Sequence, residues 1–309
     1  MSCALIAITS EVIDRLPAPA QSRRAEPPEP GRQMSRPFEH QTIVITGASD
    51  GIGRELALQL AASGARIVAG ARNRAKLDEV VAGCRAHGAE AVAVETDITD
   101  EAACRRLIET AVQTFGGVDV LVNNAGQSMR APLAEIADLG IFESLMRVNY
   151  LGAVYCTAHA LPHLRRSRGL VMAISSLQGK TGFPGFSGYA ASKFALHGFF
   201  ESLRIELLGS GVGVSLVCPG PVATAIHEHR PTLVGAPPDR SGGADPRGYM
   251  PVEECVRLII RALHRRDREL LMTPVGRLLP WLRLLAPGYV DRRTDAMVRA
   301  FYRKREGKT

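Results

Sequence analysis

Tyr189 and Lys193 stand four residues apart in YAASK, a spacing that puts both side chains on one face of a helix. An ammonium beside a phenol favours the phenolate and draws its pKa down from about 10. A tyrosine in that setting exchanges protons near neutral pH. Ser176, in ISSLQG, closes an apolar run thirteen residues earlier. A hydroxyl there is placed to hold a substrate oxygen next to the phenol, with Ser175 as the alternative. Taken singly, a Tyr/Lys pair at this spacing is ordinary surface decoration, and a serine is a common strand ending. The residues gain meaning only from company.

A second group of residues suits an anion. TGASDGIG, residues 46–53, follows Ile43-Val44-Ile45 and crowds Gly47, Gly51 and Gly53 into one turn, with Ser49, Asp50 and Ile52 between them. A strand feeding a Gly-rich turn that opens a helix offers unpaired N–H groups and the positive end of the helix dipole. Glycines there let a pyrophosphate approach the main chain. The bland alternative is a tight strand-to-helix turn whose glycines serve only its backbone angles. The spacing is G-x-x-x-G-x-G, which departs from the commoner G-x-G-x-x-G dinucleotide fingerprint.

The elements that must position these residues alternate along the chain. Strand-like apolar runs fall at 42–46, 66–70, 91–95, 119–123, 169–175 and 212–218. Helix-length segments lie between them at Gly53–Ala62, Ala75–His87, Glu101–Phe115, 133–165 and Gly188–Leu208. This pattern predicts an α/β fold, a doubly wound parallel sheet with helices on both faces. Short apolar strands such as VDVLVNN agree with burial on both sides. A further helix is expected near Val252–Arg265.

Composition narrows the partners. The chain has 309 residues, 46% of them hydrophobic, and a formal charge of +7. Residues 276–309 alone carry nine Lys/Arg against three acids, so the excess sits in the tail rather than across a folded face, and no nucleic-acid partner is expected. The six cysteines are scattered without a C-x-x-C pair; neither a disulfide framework nor a metal site is expected. No apolar run approaches the roughly 18 residues of a membrane span. Residues 1–39 read as a disordered extension rich in Pro, Arg and Glu, and translation is expected to begin at Met34. The domain proper is expected at 40–265, followed by a basic, Leu-rich extension at 266–309. Within it GRLLPWLRLLAPGYV, 276–290, suits either the surface of an anionic membrane or packing over the substrate pocket or a partner subunit. A cytoplasmic protein, peripheral on the inner membrane surface if that segment binds lipid, is expected.

In chain order, TGASDGIG, Asp97 of TDIT, NNAG at 123–126, Asn149 of RVNYLGA, Ser176, YAASK and PGPVAT at 219–224 together resemble the short-chain dehydrogenase/reductase family. The resemblance covers roughly residues 40–265, accounts for the glycine spacing, and implies a single-domain Rossmann fold. It also favours Ser176 over Ser175, because the family's serine precedes the tyrosine by about a dozen residues. Asp50 stands where many members have Ser. The resemblance implies that Tyr189 exchanges the proton, Ser176 orients the substrate oxygen, and Lys193 lowers the tyrosine pKa and holds the nicotinamide ribose. Asn149 would fix a water behind the lysine. Asn123, Ala125 and Gly126 would shape the cofactor floor, Asp97 and Ile98 would meet the adenine, and Pro219, Val222 and Thr224 would cover the nicotinamide. Asn149 as a satisfied core amide and Asp97 as a mere helix cap stay open.

After the second strand stand Ala71, Arg72 and Arg74 rather than the acidic residue that binds an NAD ribose. NADP(H) is therefore expected, with Arg72 as main contact; a solvated strand end is the bland alternative. Phe183, Pro184 and Phe186 suggest an apolar wall and a lipophilic small-molecule substrate, interconverted between carbonyl and secondary alcohol. The family's members commonly form homodimers or homotetramers through the helices carrying Asn149 and Tyr189. The rival reading is a non-catalytic NADP-binding regulator of the same fold.

Overall fold

A computed structural model describes residues 37–224 and 249–306. Residues 225–248 and the N-terminal stretch containing Met34 lie outside the described residues. Seven strands form one sheet in the order β3-β2-β1-β4-β5-β6-β7, and every pairing is parallel. They are β1 Thr42–Thr46, β2 Arg66–Ala71, β3 Ala91–Glu95, β4 Val120–Asn123, β5 Leu170–Ile174, β6 Gly213–Cys218 and β7 Glu269–Leu271. The chain steps outward from β1 to β3, then returns to lay β4 against β1. That reversal opens a crevice at the carboxyl ends of β1 and β4, where ligands of such sheets bind.

Successive strand residues face opposite sides, and the core follows that period. Ile43, Ile45, Ile67, Ala69, Val122 and Met172 face one layer. It is closed by helices α1 (Gly51–Ala62), α2 (Arg74–Ala86) and α7 (Val252–Arg265). Val44, Val68, Leu121, Val171 and Leu216 face the other, under α3 (Glu101–Phe115), α5 (Gly152–Ser167) and α6 (Ser187–Glu206). Cys84 and Cys255 are buried in the first layer, and Cys104 and Cys156 in the second. α7 shows the logic of amphipathic sequence most plainly. Cys255, Val256, Ile259, Ala262 and Leu263 are buried, one stripe at helical spacing.

Local chemistry sets the boundaries. Asp50 caps α1 by accepting the Gly51 N–H at 2.8 Å, so that helix begins two residues before the expected Gly53. Asn73 and Asp100 cap α2 and α3 in the same way. The 133–165 segment, read as one helical region, is divided. A 3-10 turn at Leu133–Glu135 precedes α4 (Gly140–Met146), and a π-helical turn at Arg147–Leu151 joins α4 to α5. Past the boundary expected at 265, the chain adds β7 to the sheet and then α8 (Pro274–Leu285) and α9 (Pro287–Glu306). All of these belong to the same unit as the core, Arg36–Thr309. The sheet thus runs at least to Leu271, because β7 pairs with Leu216–Cys218 of β6.

Phe200 of α6 is fully buried and meets Phe199 edge-on, with centroids 5.0 Å apart. Phe200→Ala is expected to cost about 3–5 kcal/mol, measured by urea unfolding. A loss under about 1 kcal/mol would mean the layer beneath α6 is not packed as described.

Candidate active site

A cleft of about 1340 Å³ runs along the carboxyl ends of the strands. Gly47, Ser49, Asp50, Gly51 and Ile52 line its centre. The turn they form is sewn to the loop after β4. Thr46 Oγ1 accepts the N–H groups of Asn124 and Ala125 at 3.0 and 3.1 Å. Asn124 Nδ2 donates to the carbonyls of Thr46 and Gly47 at 2.9 and 3.2 Å. This seam revises the reading of the glycines. A Cβ on Gly47, whose φ is +64°, would lie 2.7 Å from Ala125 Cα. One on Gly53 would lie 2.3 Å from the Gly47 carbonyl oxygen and 2.5 Å from Asn124 Nδ2. These two glycines make room for the protein's own backbone, and Gly53 lies behind the cleft wall. Gly51, at φ +51°, lets the main chain turn into α1 with its first N–H groups at the cleft, where an anion is favoured.

Toward β2 and β3 the cleft is lined by Arg72, Asn73, Arg74, Lys76, Asp97 and Ile98. Burial works against the charge of Asp97. Hydrogen bonds from the Thr99 N–H and hydroxyl, with the Arg72 guanidinium nearby, nevertheless hold its pKa below the usual carboxylate value. Arg74 is drawn aside by Asp78 at 2.9 Å. Lys76, which the sequence reading passed over, pairs with Asp50 at 2.7 Å. So a carboxylate does stand at this end, at Asp50, with a cation against it. Arg72 and Lys76 are four apart in sequence, the signal that could have found the second cation.

Toward β5 and β6 the cleft is lined by Ser175, Ser176, Leu177, Gln178, Phe183, Pro184, Phe186, Tyr189, Lys193, Pro219, Val222 and Thr224, among others. Ser176 caps a short 3-10 turn, Leu177–Gly179, accepting the Gln178 N–H at 3.2 Å. Tyr189 and Lys193 lie on α6, and the Lys193 ammonium sits 5.7 Å from the centre of the Tyr189 ring. Lys193 Nζ donates to the Ile174 carbonyl at 2.9 Å, and burial pushes its pKa down to about 8.

Asn123, expected on the cofactor side, and Asn149, expected to fix a water behind the lysine, both bond to protein groups. Asn123, the last residue of β4, turns into the interior and donates to Thr157 Oγ1 at 3.0 Å; the adjacent Asn124, with Ala125 and Gly126, lines the cleft. The distinction follows from strand alternation, which a run of two asparagines conceals. Asn149 sits in the π turn, which re-aims side chains at sites of function, and it is buried. Its Oδ1 accepts the Gln127 N–H at 2.8 Å. Its Nδ2 donates to the Gln127 carbonyl at 2.9 Å and to Ser192 Oγ at 2.8 Å. The amide therefore ties the β4 loop to α6, one residue from Lys193.

One turn beyond Lys193, His197 continues the same face of α6. Burial pushes its pKa down to about 3, and Lys180, Lys193 and Arg204 add to the effect, so the ring is neutral. It lies 3.5 Å from Cys218 Sγ and 3.8 Å from Glu269. Burial raises the Cys218 thiol to about 12. The Lys180 ammonium, 2.8 Å from Glu269, supplies the positive charge of this cluster.

A glycine turn at a helix N-terminus, a Ser–Tyr–Lys set on the opposite bank, and room between them form one site. The family model described as short chain dehydrogenase matches residues 41–232. The chain belongs to the short-chain dehydrogenase family. A sesame (Sesamum indicum) protein named 11-beta-hydroxysteroid dehydrogenase A is 34% identical over 269 residues, 84% of this chain and 76% of its own. A short-chain dehydrogenase/reductase from Burkholderia phymatum, solved in complex with NAD, superposes with a TM-score of 0.73 at 29% identity, covering 82% of this chain and 95% of that one. An alcohol dehydrogenase from Thermococcus sibiricus, complexed with 5-hydroxy-NADP, gives 0.67 at 27% identity, covering 76% and 97%. The protein is thus an NAD(P)-dependent dehydrogenase/reductase acting between CH–OH and C=O groups, and a nicotinamide cofactor suits the cleft.

The buried lysine carries a pH signature. Unfolded, Lys193 titrates at its ordinary 10.5; folded, at about 8. Between these values the unfolded chain binds the extra proton, so this group makes stability rise with pH, and its full cost is felt below 8. Losing the Ile174 hydrogen bond adds a pH-independent offset. The stability of Lys193→Met relative to wild type, without cofactor, is therefore expected to fall by about 3 kcal/mol across that window. Urea melts at stepped pH measure this, and a constant difference would contradict the buried-ammonium assignment.

Proposed function

We propose that the protein is an NADP(H)-dependent oxidoreductase that interconverts a carbonyl and a secondary alcohol on a lipophilic small molecule. The observation that carries this reading is the meeting of Ser176, Tyr189 and Lys193 on one bank of a cleft that holds Arg72 and Lys76 at its far end. When bound, the nicotinamide cofactor supplies or accepts the hydride. The chain manages the proton and the geometry. In the reducing direction Tyr189 Oη protonates the substrate oxygen, and in the oxidising direction it removes that proton. Ser176 Oγ holds the same oxygen beside the phenol. The Lys193 ammonium stabilises the phenolate left after transfer. Asn149 acts through others, fixing Gln127 and Ser192 so that the β4 loop and α6 keep their spacing. Gly126 leaves space here, since a Cβ on it would lie 3.3 Å from Asn149 Oδ1 and 3.7 Å from Lys193 Nζ.

The preference for NADP(H) rests on charge. The solved relatives carry NAD in one case and an NADP derivative in the other, so this chain's own residues are the guide. Arg72 faces the cleft, and Lys76 neutralises the neighbouring Asp50 carboxylate. A 2′-phosphate would meet Arg72 beside an Asp50 carboxylate already neutralised by Lys76, where an NAD enzyme presents an acid to the ribose. The apolar wall of Phe183, Pro184 and Phe186, and the hydroxysteroid activity named for the sesame relative, support a lipophilic substrate. With intact acid–base residues, a purely regulatory role has nothing in its favour. Wild type is expected to prefer NADPH over NADH in kcat/KM, and Arg72→Ala to lose about tenfold or more of that preference. Turnover is expected to collapse in Tyr189→Phe. Equal use of both cofactors by wild type would sink the NADP assignment.

We also propose that α8 rests on an anionic membrane surface, consistent with a cytoplasmic protein peripheral on the inner face. Val275, Leu278, Trp281 and Leu285 make an exposed stripe along it, with Arg277 and Arg283 beside it, and no helix among the described residues is long and apolar enough to span a bilayer. Membrane insertion of such a stripe with arginines at the headgroups is favourable. Exposed Phe194 and Ile205 on α6, with Leu208 just past its end, favour a homodimer or homotetramer through that helix. Wild type should co-sediment with vesicles containing phosphatidylglycerol, and Trp281→Glu should not. Equal pelleting of the two would remove the membrane reading.

A further inference from the structure

Tyr189, Lys193, His197 and Glu201 stand at intervals of four along α6, which keeps them on one face of the helix. The first two serve the cleft; the other two run on behind the turn that carries Ser176. Gly179, at the end of that turn, comes down directly on the His197 ring. A Cβ there would lie 2.6 Å from His197 Cδ2 and 2.7 Å from Ser175 Oγ. The next residue, Lys180, closes the turn by donating its N–H to the Leu177 carbonyl at 3.0 Å. Its side chain, only 21% exposed, reaches Glu269 of β7 at 2.8 Å and Glu201 of α6 at 3.7 Å. One ammonium therefore ties the serine turn both to the last strand of the sheet and to the helix of the acid–base tyrosine.

An exposed ion pair is worth little, but this lysine is mostly buried and its surroundings commit it. His197 Nδ1 lies 3.8 Å from Glu269 and 3.9 Å from Glu201. A charged imidazole would compete for both carboxylates; the ring is neutral, so they are left to Lys180. Without the ammonium, Glu269 would lose the cation bonded to it and keep only the Cys218 thiol, at 3.9 Å, and the neutral ring beside it. The turn's internal bonds do a different job. Ser176 Oγ accepts the Gln178 N–H, and Gly179 donates to the Ser176 carbonyl at 2.9 Å. These hold the turn's shape rather than its distance from α6. We propose that Lys180 is a positioning residue, whose ammonium, held by Glu269 and Glu201, sets the Ser176 hydroxyl at its working distance from the Tyr189 phenol. This rests on the reading that both groups hold one substrate oxygen. A reacting group misplaced by about 1 Å can cost on the order of a hundredfold in rate.

The test uses the full chain with NADPH and two probe ketones, 2-decanone and androstenedione. Lys180→Met is expected to lower kcat by about tenfold or more with the KM for NADPH unchanged, and Lys180→Arg to restore most of the loss. The same change is then made in Ser176→Ala. With no hydroxyl left to position, Lys180→Met should cost that background less than about twofold. Glu269→Gln removes the other partner of the pair and should show the same dependence on Ser176, which keeps the test open if Lys180→Met folds poorly. A loss of equal size with and without the Ser176 hydroxyl overturns the proposal, since Lys180 would then act by another route. A raised KM for NADPH with kcat intact overturns it too. If Ser176→Ala collapses turnover while Lys180→Met and Glu269→Gln leave it whole, the proposal fails alone. If Ser176→Ala itself leaves kcat unchanged, the role given to Ser176 falls first and this proposal with it.

Discussion

The close approach of the β1–α1 turn to the β4 loop governs the rest of this molecule. Thr46 and Asn124 exchange hydrogen bonds across the switch point, and Gly47 leaves room for Ala125 at a distance no side chain could share. Two consequences follow from that one seam. The N-terminus of α1 is presented to the crevice with its N–H groups outward. The chain leaving β4 is held on the opposite bank, where it sets Gly126, Gln127 and, further on, Met129 against α6. Both banks of the cleft are thus registered to each other by main-chain contacts, before any ligand arrives.

The second bank is organised around a buried charge. Lys193 is buried with its ammonium donating to the Ile174 carbonyl, and burial lowers its pKa. The surroundings spare it further conflict. His197 is kept neutral, and the nearby Lys180 is paired with Glu269. Asn149 then braces the helix from the far side through Ser192. Such a buried polar network specifies one arrangement at the cost of desolvation. That cost is sensible where an ammonium must stand by a phenol.

Much of this was legible in the sequence. Six strands follow from short, continuous apolar runs alternating with helix-length segments, and the glycine turn, the serine and the YAASK pair announce themselves by type and spacing. What stayed hidden has physical causes. β7 is three residues, Glu-Leu-Leu, none of them fully buried, too short and too mixed to show a period. The two asparagines of NNAG are alike in type, and only the end of the strand decides that Asn123 goes inward and Asn124 outward. Asn149 reads as a relay residue from resemblance, yet its amide is fully engaged with protein. The glycines were credited to a phosphate, whereas Gly47 and Gly53 answer first to the fold's own backbone. Lys76 escaped notice because a helical lysine is usually a solvated one.

The turn that carries Ser176 is gripped from two sides. Leu177 donates its N–H to the Pro219 carbonyl at 3.1 Å, and its side chain reaches Gly276 of α8 so closely that a Cβ there would lie 2.5 Å from it. Arg283 of the same helix bonds Thr181 at 3.1 Å. A shift of α8 is therefore a shift of the serine turn and of the Pro219 segment bonded to it. Any surface or ligand that binds one setting of α8 more tightly than another must, by reciprocity, be bound differently when the cleft is loaded. By that linkage α8 would be a handle on turnover, and occupancy of the cleft would bear on whatever α8 holds.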